Sequence, residues 1–142
     1  MRFILAQCVN RSKTYYIGGY SLAGLFSLWT AYQTDVFVGI AAASPSIWFP
    51  DFLQYMTEQD VRADSVYLSL GDREEKTRNP LMATVGDCIR ESHELLLGRG
   101  IRTTLEWNLE NHFKDAGIRM ANGFVWLMKN NTDYAELEEN KK

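Results

Sequence analysis

A serine hydroxyl becomes a nucleophile when a neighbouring base takes its proton, and the base works when an acid holds it in the right tautomer. This chain carries residues of all three kinds at positions where that relay can be assembled. Ser21 lies in Tyr15-Tyr16-Ile17-Gly18-Gly19-Tyr20-Ser21-Leu22-Ala23-Gly24, a β-branched and aromatic run that stops at a glycine pair, presents one serine and continues as a helix-like stretch. This is the pattern of a nucleophile elbow, a sharp strand-to-helix turn whose serine has strained backbone and small neighbours. Gly19 two before and Ala23 two after meet that need, with alanine where glycine is more usual. The apolar residues Leu22, Leu25, Phe26, Leu28, Trp29 and Tyr32 that follow suit a buried helix. The plainer reading is a Gly-Ser turn ahead of such a helix, and only the partners of Ser21 separate the two.

The base and the acid must come from later loops. His112, in Asn108-Leu109-Glu110-Asn111-His112-Phe113, is one of two histidines and holds the place that the chain order serine, acid, histidine requires. The other, His93, falls between Ser92 and Glu94 in a helical stretch and reads as an ordinary helix residue. For the acid, Gly71-Asp72-Arg73-Glu74-Glu75-Lys76 offers three carboxylates. Glu74, three past the glycine, has the reach of an acid displaced from a strand end. Asp72 is the next choice and Glu75 the third, and a bare Ser-His pair also stays open.

Alternating helical and extended segments must position these residues. The pattern predicts a helix over residues 2–9, a first strand at 14–18, the elbow helix, and a second strand opened by Asp35 that runs to Ala43. A short helix is expected from Asp51 to Gln59, a third strand over 65–70 closing at Gly71, and a helix from Pro80 to about Leu97 that Gly98 and Gly100 stop. Ile101 to Trp107 reads as a fourth strand and Ile118 to Lys129 as the last helix, with a charged, frayed tail over 132–142. Strands joined by helical crossovers give a parallel sheet, here of about four strands with helices on both faces: an α/β fold in three αβα layers. Chemistry in such sheets gathers beyond the carboxyl ends of the strands, so the reactive loops should open at Gly18, Ser44, Gly71 and Asn108.

Composition bounds the rest. The 142 residues, 46% of them hydrophobic, suffice for one domain with a packed core. A formal charge of −3 with no basic stripe argues against nucleic acid as a partner. No apolar run reaches membrane-spanning length and residues 1–9 make no leader pattern, so the expected address is the cytoplasm. Cys8 and Cys88 lack metal-ligand spacing and read as buried free thiols, with a disulfide between them left open. Two histidines far apart and no clustered cysteines predict no metal, and no phosphate-cradling glycine loop points to another cofactor.

Taken together, the elbow GGYSLAG, the strand FVGIAAASPSIWF, the SLGDREE loop and ENHF resemble the carboxyl-terminal half of an α/β-hydrolase. More narrowly they are similar to the esterase family that includes esterase D, feruloyl esterases and siderophore (enterochelin) esterases, over roughly residues 1 to 130. The resemblance implies cleavage of small carboxylic esters, with Ser21 as nucleophile, His112 as base and Glu74 the best match for the acid. It also implies that the Leu22 N–H donates to an oxyanion. Trp48, Phe49 and Phe113 are candidates for the pocket wall, each equally suited to core or rim packing.

A complete fold of this kind has further strands before the first one here, including its sheet neighbour and a loop giving a second oxyanion N–H. Without that neighbour, the strand Thr14 to Gly18 is a bare apolar edge that native chains cover. The expected cover is a second copy, making a homodimer across this edge, or a separately encoded amino-terminal half. The matching functional expectation is a serine esterase working through a Ser-His-acid triad. Its alternative is a catalytically silent, truncated hydrolase relative, serving as an oligomeric fold, an interaction module or one half of a split hydrolase.

Overall fold

A computed structural model describes residues 1–139. The elements run α1 (Arg2–Gln7), β1 (Tyr15–Tyr20), α2 (Leu22–Thr30), β2 (Phe37–Ala43), α3 (Phe52–Glu58), β3 (Ser65–Gly71), a 3-10 turn (Met82–Thr84), α4 (Val85–Gly98), β4 (Arg102–Asn108) and α5 (Ala116–Glu139). The four strands form one sheet in the order β1-β2-β3-β4, and every pairing is parallel. This is the expected α/β architecture. Tyr20 pairs with Ala43, Ala43 with Ser69, and Gly71 with Asn108, so the carboxyl ends of the strands line up along one edge.

The side-chain alternation of the strands builds two faces. Ile40, Ala42, Val66 and Leu68 point into a core that also holds Leu28 of α2, Met56 of α3 and Ile89 and Leu96 of α4. The opposite face is thinned to let α5 close in. A Cβ on Gly39 would stand 2.8 Å from Leu127, and one on Gly123 of α5 would stand 3.0 Å from Ala41 and 2.9 Å from Tyr67. Small residues on both partners therefore set how near α5 lies to the sheet, as glycine within a strand commonly does.

The same close packing corrects the first strand's boundary. Gly18-Gly19 does not end β1, which continues to Tyr20. A Cβ on Gly18 would stand 2.7 Å from Phe124, and one on Gly19 would stand 2.2 Å from the Ala23 carbonyl oxygen. The pair is there so that α5 and α2 can pass over the strand on either side. Gly19→Val is accordingly expected to cost about 2 to 4 kcal/mol, read from urea unfolding, because the clash is with backbone that cannot rotate away.

Other boundaries differ for local reasons. The helix expected from Pro80 starts at Val85, because the Asn79 Oδ1 atom accepts the N–H groups of Leu81 and Met82 and holds a turn ahead of it. α1 ends at Gln7, before Cys8. α5 begins at Ala116 and runs on to Glu139, over most of the stretch expected to fray; Ala135, Glu136 and Leu137 are strong helix formers, and residues 140–142 lie outside the described residues. Cys8 and Cys88 are free but half-buried rather than buried. Among the described residues no helix is long and apolar enough to cross a membrane.

Candidate active site

Ser21 stands in the one-residue gap between β1 and α2, with φ 58° and ψ −120°. A positive φ is costly for a residue with a side chain and persists only where the surroundings over-determine it. Here they do. The Ser21 N–H donates to the Ala43 carbonyl at 3.1 Å, and its own carbonyl accepts from the N–H groups of Leu25 and Ser46, each at 3.0 Å. The hydroxyl is thereby aimed off the end of the sheet.

His112, in the loop between β4 and α5, brings Nε2 to 3.0 Å from the Ser21 Oγ. Its Nδ1 lies 2.7 Å from Glu74 Oε2. Glu74 comes from the loop after β3, and its side chain is 5% exposed. Burial pushes its carboxyl up, but hydrogen bonds from His112, the Ser44 hydroxyl and the Gly71 N–H, with the charge of His112, hold it below the ordinary carboxylate value. Glu74 is therefore ionised near neutral pH and can only accept. In the neutral imidazole the proton then sits on Nδ1, leaving Nε2 to accept from the Ser21 hydroxyl.

A depressed carboxyl also couples the site to stability. Ionised Glu74 contributes stability that is fully present above its unfolded-state value and is lost as pH falls through the lower, native one. Urea midpoints measured downward from neutral pH should fall less steeply below the ordinary carboxylate value in Glu74→Gln than in the native chain. Equal slopes would contradict the ionised, hydrogen-bonded carboxylate.

The other acids of the loop have different work. Asp72 accepts the Glu110 N–H at 2.8 Å through Oδ1, shaping the loop that carries His112. Glu75 faces Arg90 at 3.3 Å. Neither reaches His112. His93 is half-buried on α4 beside Glu94, so His93→Ala should leave reaction at Ser21 within about twofold of native, measured as a labelling rate.

Sequence reasoning missed the residue that binds the site together. Arg119 of α5 is 2% exposed and donates through Nη1 to the Tyr20 hydroxyl at 3.1 Å, the Ser44 Oγ at 3.0 Å and Glu74 Oε1 at 2.9 Å. Its Nη2 donates to the carbonyls of Leu109 and Asn111, at 3.3 and 3.1 Å. The Tyr20 hydroxyl in turn donates to the His112 carbonyl at 2.6 Å. One guanidinium thus links the acid to the loop that presents the histidine. The available signal was an arginine on the same helical stripe as Ala116, Gly123 and Leu127, where an unpaired charge would be expensive.

Trp48 lines a small cavity of about 80 Å³ together with Ser21, Ser46, Glu74, Val85 and His112. Phe49, 52% exposed, faces a separate apolar groove with Leu22, Leu25, Phe26 and Trp29. Phe113 is 89% exposed and stands edge-on to the His112 ring, 5.4 Å between centroids, in a cleft that shares Glu74, Met82 and His112 with that cavity. Leu22 opens α2, so its N–H is among those a helix leaves without an intrahelical partner. Among the described residues no group of three or more His, Cys, Asp and Glu side chains could hold a metal ion.

No protein-family model matches the chain, and no curated protein matches it. Among solved structures, the siderophore hydrolase EstA from Aspergillus nidulans matches with a TM-score of 0.60 at 22% identity, covering 81% of this chain and 48% of that one. The likeness is one of fold, a parallel α/β sheet with helices around it, and this chain spans about half the length of that neighbour.

Proposed function

We propose that the chain is a serine hydrolase of carboxylic esters. The observation that carries the reading is the unbroken run of hydrogen bonds from the Ser21 hydroxyl through His112 to a buried, ionised Glu74, set at a strained turn. In the proposed reaction His112 Nε2 takes the Ser21 proton as Oγ attacks the ester carbonyl carbon. The Leu22 N–H donates to the oxyanion that forms. When the intermediate collapses, the alcohol leaves with the proton from Nε2 and the acyl group stays on Ser21. Water then gives its proton to Nε2 and attacks the acyl carbon, releasing the acid and restoring Ser21.

Loss of one oxyanion donor costs ~2.7 to 4 kcal/mol of transition-state stabilisation, so a second donor beside the Leu22 N–H matters greatly to the rate. Such a donor fits a partner across β1, which lies at one edge of the sheet. The reading extends to a homodimer through that edge, or a complex with a separate amino-terminal half. A stable monomer by sedimentation at micromolar concentration contradicts both.

The test is intact-mass analysis after incubation with a fluorophosphonate, followed by peptide mapping. A single adduct at Ser21 supports the reading and justifies a screen of thioesters, feruloyl esters and siderophore esters, the last brought in by the neighbour's name. Folded protein without an adduct would put first the alternative of a silent relative that serves as a fold or interaction module.

A further inference from the structure

The segment Asp72 to Arg78 holds three acids and three bases, and the fold sorts them by side. The acids turn to the protein: Glu74 is buried against His112, Glu75 faces Arg90, and Asp72 accepts the Glu110 N–H. The bases turn to solvent. Arg73, Lys76 and Arg78 are exposed and line a cleft of about 570 Å³ that shares His112 and Glu74 with the small cavity at Ser21. Arg73 meets Glu110 at 3.4 Å with 61% of its side chain exposed, and Lys76 and Arg78 have no carboxylate partner among the described residues. Glu74 is the sole carboxylate in the lining, and it is already committed to His112 and Arg119. Phe113 adds an exposed aromatic face to the same cleft.

We propose that this cleft is a subsite for an anionic group on the ester, selecting substrates that carry a carboxylate or similar charge beside an apolar body. The proposal rests on the hydrolase reading for where the ester carbonyl sits. Its own content is the charge sorting. On a chain of net charge −3, Lys76 and Arg78 without a carboxylate partner, with Arg73 beside them, bring positive potential to the cleft that His112 also lines. The field of such a cleft draws anions and holds them where the loops meet.

Binding to Ser21→Ala isolates this from turnover. The probes are 4-nitrophenyl hemisuccinate, which is anionic, and its neutral methyl ester, titrated by calorimetry at low salt. The anionic ester should bind about tenfold tighter, the effect of roughly two exposed ion pairs. In the Ser21→Ala background, K76Q with R78Q should bring the two probes within about twofold of each other, as should salt raised to about 0.5 M, where screening is short-ranged. Equal affinity of the two probes, no measurable binding of either, or a preference that survives K76Q with R78Q overturns the proposal. Fluorophosphonate labelling of the native chain reads the hydrolase assignment separately. Labelling without anion preference sinks the subsite alone, and anion preference without labelling sinks the hydrolase reading alone.

Discussion

Ser21→Ala is expected to abolish covalent capture by a fluorophosphonate and to lower ester turnover by a factor on the order of ten thousand or more, with the fold intact. Groups that act as a unit lose most of their effect when any one is removed, so the loss should match that of His112→Ala and not add to it. The fold should survive because the turn at residue 21 is held by backbone contacts to Ala43, Leu25 and Ser46 that alanine keeps. Ser46 supplies an internal control. Its hydroxyl lies 3.5 Å from that of Ser21 but has no histidine contact of its own, so an adduct that moves to Ser46, or persists elsewhere in Ser21→Ala, would end the assignment.

Arg119→Met should destabilise the protein by about 3 to 5 kcal/mol in urea unfolding, the range seen when one member of a buried ion pair is removed and the other is left behind. Arg119 and Glu74 are 2% and 5% exposed at 2.9 Å, so water cannot take over the contact cheaply. The loss also releases the carbonyls of Leu109 and Asn111, which fix the approach to His112. The folded fraction should therefore react more slowly with the fluorophosphonate as well. In the double variant Glu74→Gln with Arg119→Met the stability losses should sum to less than the two singles, because the stranded charge has gone. Full additivity would mean that the two groups are not coupled.

The parts of this site that the sequence announces are those tied to punctuation. Ser21 has glycine two before it and alanine two after it at a strand end, and His112 follows the last strand; both are local facts of pattern. Choosing among Asp72, Glu74 and Glu75 is different in kind, since three neighbouring carboxylates are distinguished only by which way a loop turns. That turn depends on the Glu74 N–H bonding to Gly71 and on the Gly71 N–H reaching back to the Glu74 carboxylate. The glycine pair misled for the opposite reason: it reads as a strand end in one dimension, while in three it is the clearance for two helices crossing β1. The helical stripe that holds Arg119 shows that it needs partners, but not which ones, because they come from four separate segments.

That scattering makes the site a clock for folding. Ser21, Ser44, Glu74 and His112 each follow a different strand, and Arg119, on the last helix, bonds to Ser44, to Glu74 and to the loop that carries His112. The candidate relay spans Ser21 to His112 and the arginine that braces it lies beyond, on α5, so a refolding molecule that has collapsed around the β2 and β3 core alone still lacks the histidine contact of Ser21. Pulsed fluorophosphonate labelling during refolding is then expected to appear only once the His112 loop and Arg119 of α5 are both in place.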